Sequence, residues 1–151
     1  MDWTVDTQIL YKAAGCDMEA VRLLADILGR RNGVGFDNEG HIRRQYDNCA
    51  RGTRSEFIRK WVVEAADKLA QMRSGRLSER HRRGLERLKF HQKDWVFVAV
   101  CSRIDGRMLV AEESDYRDEV RAYLNAEMGI SVLSVVDSLN RVDQPRSGAS
   151  P

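Results

Sequence analysis

Apolar residues along this chain come in short blocks whose spacing keeps changing, and the changes mark out the elements. Residues 1–6 form a brief extended block ending in Val5-Asp6, a predicted first strand. A short helix over residues 7–14 closes at Gly15. Asp17 then caps a longer helix carrying Met18, Val21, Leu24, Ala25 and Leu28 at helical spacing. Gly29 to Gly33 ends it, Val34-Gly35-Phe36-Asp37 reads as a second strand, and Asn38 and Gly40 turn into a helix over residues 41–50. Thr53-Arg54-Ser55-Glu56 matches a capping box, and Phe57, Ile58, Trp61, Val62, Ala65, Leu69 and Met72 continue at helical spacing until Gly75. A further helix over residues 78–90 is dominated by Arg and Lys, with Leu77, Leu85, Leu88 and Phe90 as its apolar contacts.

Beyond Asp94 the pattern loses its polar face. Trp95-Val96-Phe97-Val98-Ala99-Val100-Cys101 is apolar all round, so it is buried whichever way it coils. It is assigned as a helix, because only the turn Asp105-Gly106-Arg107 separates it from the strand Met108-Leu109-Val110, and two adjacent strands would leave no crossover. A helix over residues 117–127 stopped by Gly129, a strand over 130–132 and a last helix over 135–139 complete the set, before a tail at 144–151 predicted to be disordered. Strands alternating with helices predict one α/β domain over residues 1–143, a three-layer αβα sandwich around a parallel sheet of four or five strands. In such sheets ligands sit at the carboxyl ends of the strands. Asp6, Asp37 and the pair Glu112 and Glu113 all end predicted strands.

Length and composition limit the classes available. A chain of 151 residues builds one core, and no apolar run approaches the roughly 18–20 residues of a membrane span. Met1-Asp2-Trp3-Thr4 has neither the positive nor the apolar region of a signal peptide. Cys16, Cys49 and Cys101 show no paired spacing, which predicts free thiols and a cytoplasmic location. The net charge of +2 divides into −3 over residues 1–40, +9 over 41–93 and −4 over 94–151. Carboxylates thus occupy the outer thirds, with a positive surface between them that either attracts a polyanion or only solubilises the protein.

Several acidic residues admit two readings. Asp6 is either a helix cap or a carboxylate fixed by the hydroxyl of Thr7; Asp94 is either a cap or a charge aimed at a buried helix. Glu112, Glu113 and Asp115 form either a solvated turn or part of a site. Gathered together, these charges would be costly without a divalent cation. Of His41, His81 and His91, the last lies three residues before Asp94, a spacing compatible with metal ligation or with a surface or substrate-facing role. The density of Arg80, Arg82, Arg83, Arg87, Lys89 and Lys93 suits phosphate contact. Trp3, Trp61 and Trp95 sit in apolar settings that favour the core.

In order and spacing, these fragments resemble PIN-domain nucleases. Asp6-Thr7-Gln8-Ile9-Leu10 is similar to the family's first motif, Lys93-Asp94-Trp95-Val96-Phe97 to its internal Asp at the head of an apolar helix, and Leu109-Val110-Ala111-Glu112-Glu113-Ser114-Asp115-Tyr116 to its last motif. Gly129-Ile130-Ser131-Val132-Leu133-Ser134 resembles the closing strand, so the likeness spans about residues 1–140. Ala111 stands where the family has Thr, Glu113 where it has Asp, and Arg44-Gln45-Tyr46 places an amide where it has Glu. The chain is then either naturally weakened or inactive, or compensated by Asp37 or Glu39, or a deliberately inactivated Glu-to-Gln form, which the survival of every other motif favours.

The resemblance implies a PIN-like fold and a Mg²⁺- or Mn²⁺-dependent endoribonuclease acting on RNA, of prokaryotic toxin or defence-effector type. It implies Asp6, Gln45, Asp94, Glu113 and Asp115 as catalytic positions, with Asp6, Asp94 and Glu113 holding the metal and Thr7, Arg43, Arg44, Arg83 and Lys93 near substrate. A cognate antitoxin and a homodimer are the partners implied; no membrane association is expected. A catalytically inactive RNA-binding or scaffold protein on the same fold is the alternative. A Mg²⁺-dependent phosphatase lacks both an Asp-x-Asp after the first strand and a glycine-rich phosphate loop.

Overall fold

The computed structural model describes residues 1–112 and 114–143; Glu113 and the tail at 144–151 lie outside the described residues. The elements run β1 (Asp2–Val5), α1 (Thr7–Ala14), α2 (Met18–Gly29), β2 (Gly33–Asp37), α3 (His41–Thr53), α4 (Glu56–Lys68), β3 (Ala70–Arg73) and α5 (Glu79–Arg87). After a 3-10 turn at Gln92–Asp94 come α6 (Trp95–Cys101), β4 (Met108–Val110), α7 (Asp118–Met128), β5 (Ser131–Leu133) and α8 (Val135–Asp143).

The five strands form one parallel sheet in the order β3-β2-β1-β4-β5. Helices α1 to α4 pack together and α8 packs on α2, while α6 lies against β1, β2 and β4 and α7 against β5. The result is a three-layer αβα sandwich. The inner strands are apolar without alternation because both faces are covered: every residue of β2 and β4 is buried. Gly35 lets α6 lie close against the sheet, since a Cβ there would stand 2.7 Å from Val100 Cγ1 and 2.9 Å from Thr4 Oγ1. Residues 96–101 are buried on every side of α6, as an all-apolar helix requires. Trp61 is buried in α4 and donates its indole N–H to the Leu24 carbonyl of α2 at 2.8 Å, locking those helices together. Trp3 is also buried, whereas Trp95 is only half-buried and donates to the Phe90 carbonyl. All three cysteines are free, with Cys49 and Cys101 buried and Cys16 exposed.

Two local expectations are overturned. The capping box does not form: Ser55 caps α4 by accepting from the Ile58 amide, while the Thr53 hydroxyl turns back onto the Cys49 carbonyl as α3 ends. Furthermore, α4 stops at Lys68, and the following residues become the edge strand β3 instead of another helical turn. Pairing with the open side of β2, from Val34 opposite Ala70 to Asp37 opposite Arg73, outweighs the helical spacing of Leu69 and Met72.

Candidate functional site

The reversal in strand order places the site. From β1 the chain proceeds to β2 on one side, and from β4 it proceeds to β5 on the other, so the segments leaving the paired strands β1 and β4 diverge. Asp6 is the first residue beyond β1, and its amide donates to the Val110 carbonyl at the end of β4. Although it stands at the N-cap of α1, its carboxylate makes no capping bond. Asp94 ends the 3-10 turn at the head of α6 and likewise makes no side-chain cap. Asp115 lies in the turn after β4, its amide bonded to the Glu112 carbonyl.

Two interactions draw the Asp94 and Asp115 segments together. The rings of Phe90 and Tyr116 pack with centroids 5.0 Å apart. In addition, Arg117 donates to the Leu88 carbonyl. Asp6, Asp94 and Asp115 thereby line one open cleft of about 590 Å³, with Thr7, Gln45 and Lys93 also on its walls.

Asp6 is 3% exposed, and its Oδ2 has no hydrogen-bond partner among the described residues. Burial, followed by the negative charges of Asp94 and Asp115, raises its pKa from 3.8 to about 7. The Thr7 amide and the charge of Lys93 offset this in part. Burial also raises the Asp94 carboxyl; the Asp115 charge adds to the rise, while Lys93 and His91 oppose it. The phenol of Tyr116 is fully buried and unpartnered among the described residues, and its pKa is raised by burial and then by the charges of Asp6 and Asp94. Like-charged carboxylates facing a cleft with an unsatisfied oxygen form an electronegative pocket with hard donors.

The other sequence candidates divide. The Thr7 hydroxyl does not fix Asp6; it donates to Gln45 Oε1 at 2.9 Å. Asp37 does not compensate for Gln45, because its buried carboxylate accepts from the His41 and Ile42 amides at 2.9 and 2.7 Å and so caps α3. Glu39 accepts from the Gly75 amide instead. The acidic trio splits too: Glu112 pairs with Lys12 at 2.6 Å outside the cleft, whereas Asp115 faces into it. His91 uses Nδ1 to accept from the Lys93 amide. Arg43 pairs with Asp47, Arg83 pairs with Glu79, and Arg44 lies beside His41; none of the three arginines lines the cleft. Gln8, Tyr11 and Asn48 do line it, although nothing in the sequence alone assigns them a role. Their only signal was spacing: Gln8 and Tyr11, like Gln45 and Asn48, are three apart on helices and share a face.

Among the described residues, no group of three His, Cys, Asp or Glu side chains is arranged to hold a metal ion. The unsatisfied Oδ2 of Asp6 and the facing Asp94 still offer the oxygen chemistry that Mg²⁺ or Mn²⁺ takes, and Mg²⁺ commonly uses one or two carboxylates with water and substrate phosphate. Among the described residues, no helix is long and apolar enough to cross a membrane. The chain matches no protein-family model, and no curated protein or solved structure matches it significantly.

Proposed function

We propose that this protein is a divalent-metal-dependent endoribonuclease of the PIN-like type. The observation that carries the reading is Asp6: a buried carboxylate with an unsatisfied oxygen, repelled by Asp94 and Asp115, in the lining of a cleft where the strand order reverses. The motif resemblance of residues 1–140 supports it. Ionised Asp6 and Asp94 would hold Mg²⁺ or Mn²⁺, with Asp115 beside them and Glu113 as the further ligand the resemblance implies. A cation held there would supply an activated water and neutralise charge developing on the scissile phosphodiester.

The chain's own groups do the remaining work. Lys93 on the cleft wall attracts the phosphate and partly offsets the carboxylate charge. Thr7 orients the Gln45 side chain. No side-chain nucleophile is required, in keeping with the buried, apolar settings of Cys49 and Cys101.

Gln45 favours a second reading, a catalytically silent RNA-binding or scaffold protein, because a neutral amide adds no charge to the metal site. Cleavage of single-stranded RNA with Mg²⁺ and Mn²⁺ tests the two. The nuclease reading expects Gln45→Glu to cut, and Asp94→Asn added to it to abolish cutting. Failure of Gln45→Glu with both metals on several RNAs would leave the silent binder.

A further inference from the structure

One wall of the cleft has no part in holding a cation. Gln8 and Tyr11 stand one turn apart on α1, and Asn48 lies one turn beyond Gln45 on α3, a helix that packs against α1. Tyr11 is 42% exposed and is the only exposed Phe, Trp or Tyr side chain among the described residues. The fold buries or half-buries the other Phe, Trp and Tyr rings, yet leaves this one open to the cleft that holds the carboxylates. Its neighbours are amides: Asn48 Oδ1 accepts from Arg51 at 2.5 Å, which leaves the Asn48 amide nitrogen as a donor, and Gln8 offers both a donor and an acceptor. A flat ring flanked by uncharged hydrogen-bonding groups matches the chemistry of a nucleobase, which has a π-face for stacking and polar edges.

We infer that Tyr11, Gln8 and Asn48 form a base-binding subsite, on which one unpaired nucleotide stacks while its neighbouring phosphate lies toward Asp6 and Asp94. The inference rests on the nuclease reading above and adds what selects the substrate: an unstacked base next to the cut. It also separates two sources of affinity. Lys93 contributes a salt-dependent phosphate contact, whereas the uncharged wall contributes stacking that depends little on salt.

The test is fluorescence anisotropy of labelled hexa-adenylate and of an abasic hexamer with the same backbone, in Mg²⁺ over a range of salt, with oligonucleotide integrity checked afterwards. Tyr11→Ala is expected to weaken hexa-adenylate binding about tenfold, within the span of a single base–aromatic stack, without changing the salt slope. Tyr11→Phe should restore the binding, and the abasic hexamer should not respond to either change. Lys93→Ala should lower the slope. Equal affinity of Tyr11→Ala and the unchanged protein for hexa-adenylate would overturn the subsite, as would an equal loss with the abasic hexamer. So would failure of the unchanged protein to bind hexa-adenylate. The cleavage test of Gln45→Glu reports separately on the nuclease reading, so a cutting enzyme indifferent to Tyr11 removes the subsite alone.

Discussion

The hydroxyl of Thr7 donates a hydrogen bond to Oε1 of Gln45 across 2.9 Å, joining the first turn of α1 to α3 at the wall of the carboxylate cleft. That bond takes one lone pair of Oε1, while the Gln45 amide nitrogen stays a donor, and an N–H donor beside the cleft eases the charge of the neighbouring carboxylates without binding a cation. Gln45→Glu would keep the bond from Thr7 and exchange that donor for a second anionic oxygen. In metal-free buffer the variant should melt at a lower temperature than the unchanged protein. It should bind Mn²⁺ roughly tenfold more tightly or better, because added ligand charge raises affinity. Thermal melts with and without Mn²⁺ check both; a variant that melts higher without metal and gains nothing from it contradicts this account of Gln45.

Asp6 gives the metal-free protein a defined response to pH. Its carboxyl ionises near 3.8 in the unfolded chain and near 7 in the fold. Between those values the native state keeps a proton that the unfolded state has released, so this group's contribution to stability falls as pH rises and levels off above about 7. The full change is on the order of 4 kcal/mol. Urea unfolding in chelator from pH 4 to pH 8 should therefore show Asp6→Asn gaining on the unchanged protein with rising pH. A constant difference between the two proteins would mean that Asp6 is not strained.

Asp37 closes β2 much as Asp6 follows β1, yet it serves the fold. Its carboxylate takes two amide hydrogen bonds at the start of α3. Asp37→Ala should cost about 1–2 kcal/mol of stability, as loss of a helix cap does, and leave the Mn²⁺ response intact. Loss of Mn²⁺ binding in a variant that is still folded would place Asp37 in the site after all.

The contrast between those two residues shows how much of the molecule was legible beforehand. The sandwich, the all-apolar α6 and the turn positions of Asp6, Asp94 and Asp115 followed from spacing and from the need for crossovers. Strand β3 did not, because Leu69 and Met72 extend the helical period of α4 and an edge strand of half-exposed residues leaves no apolar mark. Thr7, Ser55 and Thr53 show a second limit: a hydroxyl's partner is chosen in three dimensions, and each had more than one candidate nearby in sequence. Tyr11 and Asn48 escaped notice for a similar reason. An outward-facing tyrosine or asparagine gains meaning only when folding sets it beside carboxylates from distant segments.

As a nuclease, the protein would hold one cation between Asp6 and Asp94. Calorimetric titration of Mn²⁺ into the unchanged protein near pH 7, repeated in buffers of different ionisation enthalpy, tests that shared site most directly. Because Asp6 is partly protonated at that pH, binding should release a fraction of a proton, and Asp94→Asn should abolish the heat. Saturable binding of equal strength in Asp94→Asn, or no binding by the unchanged protein at any Mn²⁺ concentration it tolerates, would contradict the claim.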